Sequence, residues 1–473
     1  MNKTHHTLGS FRELFFLFLP MCVMTLSNCL FLFFEKLFLA KFSVESMEAA
    51  LNAAYACQIF QAPCVALSMM AQVFVGQWRG AQEWRSIGPG IWQFIWFSFL
   101  SSLITFPFGM LYGLFYFRGT AIDDIVWPYY TALLGMNFLF PLGAALSCFY
   151  IGQGKTKFVL FVTIGTQLVK FFLGYLLIFG WDSWVPAFGL LGGVFSTLTA
   201  QTGFCLLLFL VFLNKKHANL YNTRDWVIKL KLFWNCIHTG LLRAANRILN
   251  FMCWASIAHL MSAKGGDYLL ILSIGGTLFL FLPFFAEALC QAEITVFSNI
   301  LGAKEYFKIN QAFRSGGLLT LLIIGLSATP LIFYKEMFEL LFPTIFLEDS
   351  IILNVFFGVW VSFVFYSLAF VPISYVLACK DTKFSFFMGF FNWINGFLLI
   401  YTAIETVNIP ADLFWLVLGV MHASTMLLYY LRMKWLMQRG IDAFGVQKGG
   451  FSNVLIKFVD FFHRDRWIRS KTG

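Results

Sequence analysis

Charge is what this sequence has least of. Asp, Glu, Lys and Arg together make up 12% of the 473 residues, against 59% hydrophobic ones. A chain with so little polar surface cannot cover itself as water-soluble domains of ordinary size, so it belongs in a bilayer. Paired cysteines are missing as well. The ten cysteines stand singly, mostly in apolar stretches (Cys22, Cys29, Cys57, Cys148, Cys205, Cys253, Cys290), with no CxxC pair and no metal-ligand spacing. They read as small buried hydrophobes, and neither a metal nor a cofactor is expected. No GxxxxGK[ST] loop is present, since "GQGKTKF" lacks the first spaced glycine, which argues against ATP drive. The formal net charge of +10 comes without a basic, aromatic-interleaved soluble domain, which excludes a nucleic-acid partner. The polar start "MNKTHHTLGS" leads into a run too long for a signal-peptide core and without a small-residue cleavage site, so the first apolar segment is expected to be retained.

What the chain has is apolar length. Runs of about 20 residues, enough to cross a hydrocarbon core as a helix, occur twelve times. The predicted spans are 13–34, 49–76, 90–117, 126–151, 158–181, 186–214, 233–262, 268–298, 315–342, 350–378, 385–408 and 411–433. The basic residues test this count, because cytoplasmic loops collect Lys and Arg. With the N-terminus inside and alternating thereafter, 25 of the 33 basic residues fall inside, five fall outside, and Lys170, Arg243 and Arg247 lie within helices. One miscounted helix would reverse every later loop and destroy the bias. Both termini are therefore expected in the cytoplasm.

Two short stretches recur. "YIGQGKTKFVLFV" (150–162) follows the fourth segment and "VLACKDTKFSFFM" (376–388) the tenth, placing Thr156 and Thr382 226 residues apart. "VFVGQWRGAQEW" (73–84) follows the second and "TVFSNILGAKEY" (295–306) the eighth, placing Gly80 and Gly302 222 residues apart. The chain reads as a duplication. Residues 1–214 form an N-terminal six-helix lobe, 215–232 a basic cytoplasmic linker, 233–437 a C-terminal six-helix lobe and 438–473 a basic amphipathic cytoplasmic tail. Six being even, both halves insert the same way up, as parallel repeats about an axis along the membrane normal.

These stretches, with "FGLLGGVFSTLTAQ" opening the sixth segment, resemble the signature positions of the multidrug and toxic compound extrusion (MATE) transporters, in order and spacing over residues 10–437. The resemblance implies an all-α polytopic membrane protein with twelve transmembrane helices in a V-shaped, two-lobed fold. It implies an antiporter, not an enzyme, that exports small amphipathic compounds against an inward flow of protons or sodium ions. Lipid-linked-sugar flippases share the wider superfamily and are the nearest alternative, with a duplicated receptor or scaffold the more distant one.

Ionisable groups inside a membrane are costly, and function is expected at them. Pro20 sits mid-way along the first segment, where it permits a kink, and Glu35 follows fifteen residues later. That interval is similar to the family's first helix, whose acid, usually an aspartate, takes part in cation or proton binding. A solvated residue at the helix end is the plain alternative for Glu35. In the fifth segment the family's asparagine and aspartate positions are occupied by Lys170 and Gly174. A lysine in low dielectric deprotonates or finds an anion, so a pair of Glu35 with Lys170 is expected unless Lys170 snorkels to an interface. Beside an ammonium a carboxyl can still exchange a proton, whereas sodium loses its oxygen cage, so H+ is favoured over Na+.

The seventh segment carries Arg243 and Arg247 at i, i+4, adjoined by Asn246 and Asn250. Some family members have acids near the positions of Asn250 and Tyr366; here the eighth segment supplies Glu287 and Glu293 instead. The arginine spacing suits a fork for one anionic group, either Glu287 as a structural lock or an acidic substrate. In the tail, Phe451, Leu455, Phe458 and Phe462 share one helical face, predicting a helix on the inner leaflet. The partners expected are a small organic substrate, H+ and the lipid bilayer, for a monomer in the plasma or inner membrane.

Overall fold

The computed structural model describes residues 7–119, 123–181, 184–343 and 345–443. The amphipathic helix expected in the tail lies outside the described residues. Twelve helical rods run in chain order: α1 Phe11–Phe42, α2 Val44–Gly80, α3 Trp84–Phe117, α4 Asp123–Gly152, α5 Thr156–Phe179 and α6 Leu190–Phe212, then α7 Leu230–Lys264. They continue with α8 as Asp267–Phe281 followed by Pro283–Ala303, then α9 Tyr306–Ile332, α10 Asp349–Ala378, α11 Thr382–Thr406 and α12 Ala411–Arg439. Among the described residues eleven helices are long and apolar enough to cross a membrane. The rod left out is α7, long enough at 35 residues but diluted by His238, Arg243, Arg247 and His259.

Helix ends follow local chemistry. Ser10 caps α1 by accepting the Glu13 N–H at 3.3 Å, and the Glu13 carboxylate accepts the Gly9 N–H at 2.7 Å, a variant of the capping box. Ser43 both ends α1, its N–H donating to the Leu39 carbonyl, and opens α2 by accepting the Ser46 N–H. Four expected continuous spans are interrupted. The second breaks at Met69–Met70, between helices Val44–Ser68 and Ala71–Gly80, the fourth between Gly135 and Leu139, the eighth at Leu282, before Pro283, and the ninth at Ala328 and Phe333. Pro20, by contrast, leaves α1 an unbroken helix.

The duplication is written into the backbone. Gln82 and Lys304, 222 residues apart, both adopt left-handed φ angles of 60° and 58°, and so do Gly154 and Lys380, 226 apart, at 76° and 58°. Each closes its helix with the same six-to-one hydrogen bond: Glu83 N–H to Trp78 O and Glu305 N–H to Ile300 O, Lys155 N–H to Tyr150 O and Asp381 N–H to Val376 O.

The halves meet through α2 and α8, near the end of the bundle that carries the basic loops. Gly76 abuts Ser298; a Cβ on Gly80 would overlap the Asn299 carbonyl oxygen, and one on Gly302 would overlap the Gln77 carbonyl oxygen. Because 299 and 77 are also 222 apart, the contact is reciprocal. Polar bonds reinforce it. Gln72 Nε2 donates to the Gln291 carbonyl at 2.6 Å and the Thr295 hydroxyl at 2.8 Å, Gln77 Nε2 to the Ala378 carbonyl at 2.7 Å, and Ser315 Oγ to the Gly9 carbonyl at 3.0 Å.

The expected linker is not a free loop. It begins with a short helix, Lys215–Tyr221, and its backbone is bound to α3: Trp92 Nε1 donates to the Thr223 carbonyl, Trp96 Nε1 to the Trp226 carbonyl, and Lys229 N–H to Gln93 Oε1. His217 Nδ1 donates to the Val211 carbonyl at 2.8 Å, leaving Nε2 facing the Lys155 ammonium at 3.4 Å.

Two outcomes follow. Gly80→Val or Gly302→Val drives a side chain into backbone that cannot swing away, costing about 1–3 kcal/mol. Spin labels at Gln82 and Lys304 in a cysteine-free background should move apart, and an unchanged distance with unchanged melting would refute the crossing. His217 is held below its ordinary pKa first by burial and then by Lys155. The neutral ring's contribution is full above about pH 6.5 and is lost as pH falls, because the unfolded chain then binds the extra proton. His217→Gln should flatten that part of a melting-temperature profile between pH 7 and 5.

Candidate ion-coupling and substrate sites

In the N-terminal lobe four helices converge on one carboxylate. Glu35 lies seven residues inside the end of α1, so it is not a solvated end residue. Its Oε2 is 2.5 Å from Lys170 Nζ on α5, with only 11% of the Glu35 side chain and 13% of the Lys170 side chain exposed. Lys170 is therefore spent on Glu35 and does not snorkel. Oε1 faces the Thr197 hydroxyl of α6 at 3.3 Å and the Tyr129 phenol of α4 at 3.5 Å, the outer limit for a hydrogen bond. Glycines make room for this: Gly193 of α6 faces Glu35, and Gly174 of α5 faces Ser196. One turn from Lys170 and two from Glu35, Gln167 Nε2 donates to Asn28 Oδ1 at 2.8 Å, a second polar tie between α1 and α5. Pro20 stands apart, fifteen residues or roughly 22 Å down the same helix.

The C-terminal lobe is arranged differently from expectation. Tyr366 of α10 donates its phenol proton to Glu287 Oε1 of α8 at 3.1 Å. Neither arginine locks onto that carboxylate: among the described residues no ion pair within 4.0 Å joins Arg243 or Arg247 to any acid. Arg243 reaches out of its lobe, donating to the Met70 sulfur of α2 at 3.5 Å. Arg247 is exposed, its guanidinium 5.4 Å from the Phe251 ring centre. Asn246 turns to the neighbouring helix, its Oδ1 lying where a Cβ on Gly389 of α11 would be. Asn250 is half-buried one turn on.

Sequence reasoning did not single out several partners. Tyr129 carries no signal of its own. His422, buried in α12, bonds the Ser362 hydroxyl through Nδ1 at 2.9 Å and stacks near Phe279 and Tyr366; a lone polar ring in an apolar run was the available sign. Glu293 is 1% exposed, with Ser374 Oγ donating to Oε2 at 2.8 Å and Gly316 packed against Oε1.

Known structures share this architecture. An outward-facing multidrug-resistance MATE family transporter of the MOP superfamily superposes with a TM-score of 0.81 at 12% identity, over 91% of this chain and 97% of that one. The chain has the MATE transporter fold. A MATE protein in its straight conformation gives 0.82 at 12% identity over 92% and 98%. A MOP superfamily transporter from Pyrococcus furiosus, described as having a binding pocket of reversed polarity, gives 0.81 at 12% identity over 92% and 97%. No protein-family profile matches the sequence, and no curated protein matches it.

Lys170 occupies the face of α5 that meets α1, against Glu35 itself. Removing one partner of a pair this enclosed costs about 3–5 kcal/mol, much of it from the charge left behind. Lys170→Met and Glu35→Gln should each lower the melting temperature in detergent. The exchange Glu35→Lys with Lys170→Glu should recover stability relative to either single variant, and strictly additive losses would show that the two do not act as a pair.

Proposed function

We propose that this chain is a secondary active antiporter that exports small amphipathic organic compounds in exchange for an inward cation, by alternating access between its two lobes. The observation that carries the reading is the enclosed Glu35–Lys170 pair on a MATE fold. A carboxylate in contact with an ammonium and two hydroxyls is a poor cage for sodium, because the fixed positive charge repels a second cation. It remains a good proton acceptor. Protonation of Glu35 cancels its attraction for Lys170 and loosens α1 from α5, which links proton uptake to lobe geometry.

In this reading the basic end faces the cytoplasm, both termini lie there, and the protein works as a monomer in the plasma or inner membrane. The reciprocal contact of Gly80 with Asn299 and Gly302 with Gln77 closes that end, so the interlobe cavity opens away from the cytoplasm. Rocking the lobes apart at the glycines and together at the far end exchanges access. No enzymatic step, metal or cofactor enters the cycle.

Proteoliposomes with an imposed pH or sodium gradient test the proposal. Movement of a fluorescent amphipathic compound should follow the pH gradient and ignore sodium, and Glu35→Gln should abolish gradient-driven movement while leaving the protein folded. Strong sodium dependence in the parent would overturn the coupling assignment. Lipid translocation without movement of soluble compounds would replace the antiporter with a flippase.

A further inference from the structure

Arg243 is unusual for what it lacks. A guanidinium has five N–H donors and no acceptor capacity, yet its hydrogen bond here goes to a thioether, a weak acceptor. Its electrostatic neighbours are the Cys148 and Cys290 thiols, together with Arg247, which repels it. A half-buried cation so poorly satisfied is costly unless something else completes it.

Its position between the lobes is set by packing. Gly240, one turn earlier on α7, lets that helix lie on Leu67 of α2, where a Cβ would come within 2.6 Å of the leucine side chain. The break of α2 at Met69–Met70 lies beside this contact, and Met70 faces Arg243. Arg247 continues the same helical face at i+4, with the Phe251 ring beside it. Glu287 already accepts the Tyr366 phenol and Glu293 the Ser374 hydroxyl, so neither carboxylate of α8 is bonded to the two guanidinium groups.

We propose that Arg243 and Arg247 seat an oxyanion headgroup of an amphipathic substrate, a carboxylate, sulfonate or phosphate whose apolar body lies along the Met70 and Phe251 side chains. The inference deepens the transporter reading and rests on it for a cavity between the lobes. An oxyanion takes paired N–H donors in the forked geometry that guanidinium groups offer, and it neutralises the mutual repulsion of the two arginines. An organic cation of the same size meets that repulsion unrelieved. The headgroup chemistry is common to soluble organic anions and to phosphate-bearing lipids.

Binding to the purified full chain in detergent tests this independently of transport, with naphthalene-2-sulfonate, the matched trimethylammonium cation and dioctanoyl phosphatidate as probes in titration calorimetry. The anions should bind and the cation should not. Arg243→Gln and Arg247→Gln should each weaken anion binding by roughly tenfold or more, with lysine at either position retaining part of it. Preference for the sulfonate identifies a soluble substrate and preference for phosphatidate a lipid one; both outcomes require the arginines. Equal binding of the cation, or parental anion affinity in both glutamine variants, overturns the proposal. If Arg243→Gln does not fold, the exposed Arg247→Gln decides alone. Binding is read in detergent with no gradient imposed, so a failure of proton coupling and a failure of this site are read separately.

Discussion

Everything about the arrangement of the two lobes depends on backbone meeting backbone where α2 crosses α8. Gly80 lies on the Asn299 carbonyl and Gly302 on the Gln77 carbonyl, so the rods approach more closely than any side chain permits. Within a membrane there is little hydrophobic gain from bringing two helices together, and small residues that allow close packing supply the attraction instead. The glutamines at 72 and 77 add bonds whose loss would leave amide groups buried. This contact fixes the angle between the lobes, which in turn places Met70 of one lobe under Arg243 of the other. The same crossing therefore determines both how the lobes meet and which side chains face one another across them.

The few charges inside the rods fall into two kinds. Glu35 and Lys170 satisfy each other and are enclosed by four helices; Asp381 and Arg432 do the same at 2.7 Å near the basic end, where Asp381 also caps α11. Among the described residues, Arg243 and Arg247 pair with no acid. A paired charge costs stability when either member is removed, whereas an unpaired one costs stability while it is present. Retaining the second kind at the junction of the two lobes is the opposite of structural economy, and it separates the C-terminal cluster in character from the N-terminal pair.

Much of this architecture was legible beforehand, for definable reasons. Hydrophobic run length and basic-loop bias report on the bilayer, a constraint acting on every residue, so the rods and the six-plus-six arrangement could be read directly. The repeated "GQWRGAQEW" and "SNILGAKEY" stretches marked the turns and, unrecognised as such, the interlobe contact itself. The Glu35–Lys170 pairing followed from scarcity, because few carboxylates lie within that lobe's helices. The expected Arg243–Glu287 lock failed on the same logic. Charge balance says that two arginines and two glutamates share a lobe, but not which way each side chain turns, and Glu287 turned to Tyr366 while Glu293 was taken by Ser374. The break at Met69–Met70 was invisible because neither residue is a helix breaker, and it is tertiary packing of α7 on Leu67 that accompanies it. The hydroxyl of Tyr129 was unreadable because nothing in a local pattern records which distant helix a side chain will face.

The docked linker gives the covalent connection a thermodynamic role. Two six-helix bodies drifting independently in a bilayer would need a strong interface to stay associated, and a strong interface would resist opening. Joined by a short segment that is itself bound to α3 through the Trp92 and Trp96 indoles, the halves meet at a high effective concentration whatever the strength of their contact. Association of the lobes therefore does not rest on the glycine crossing alone.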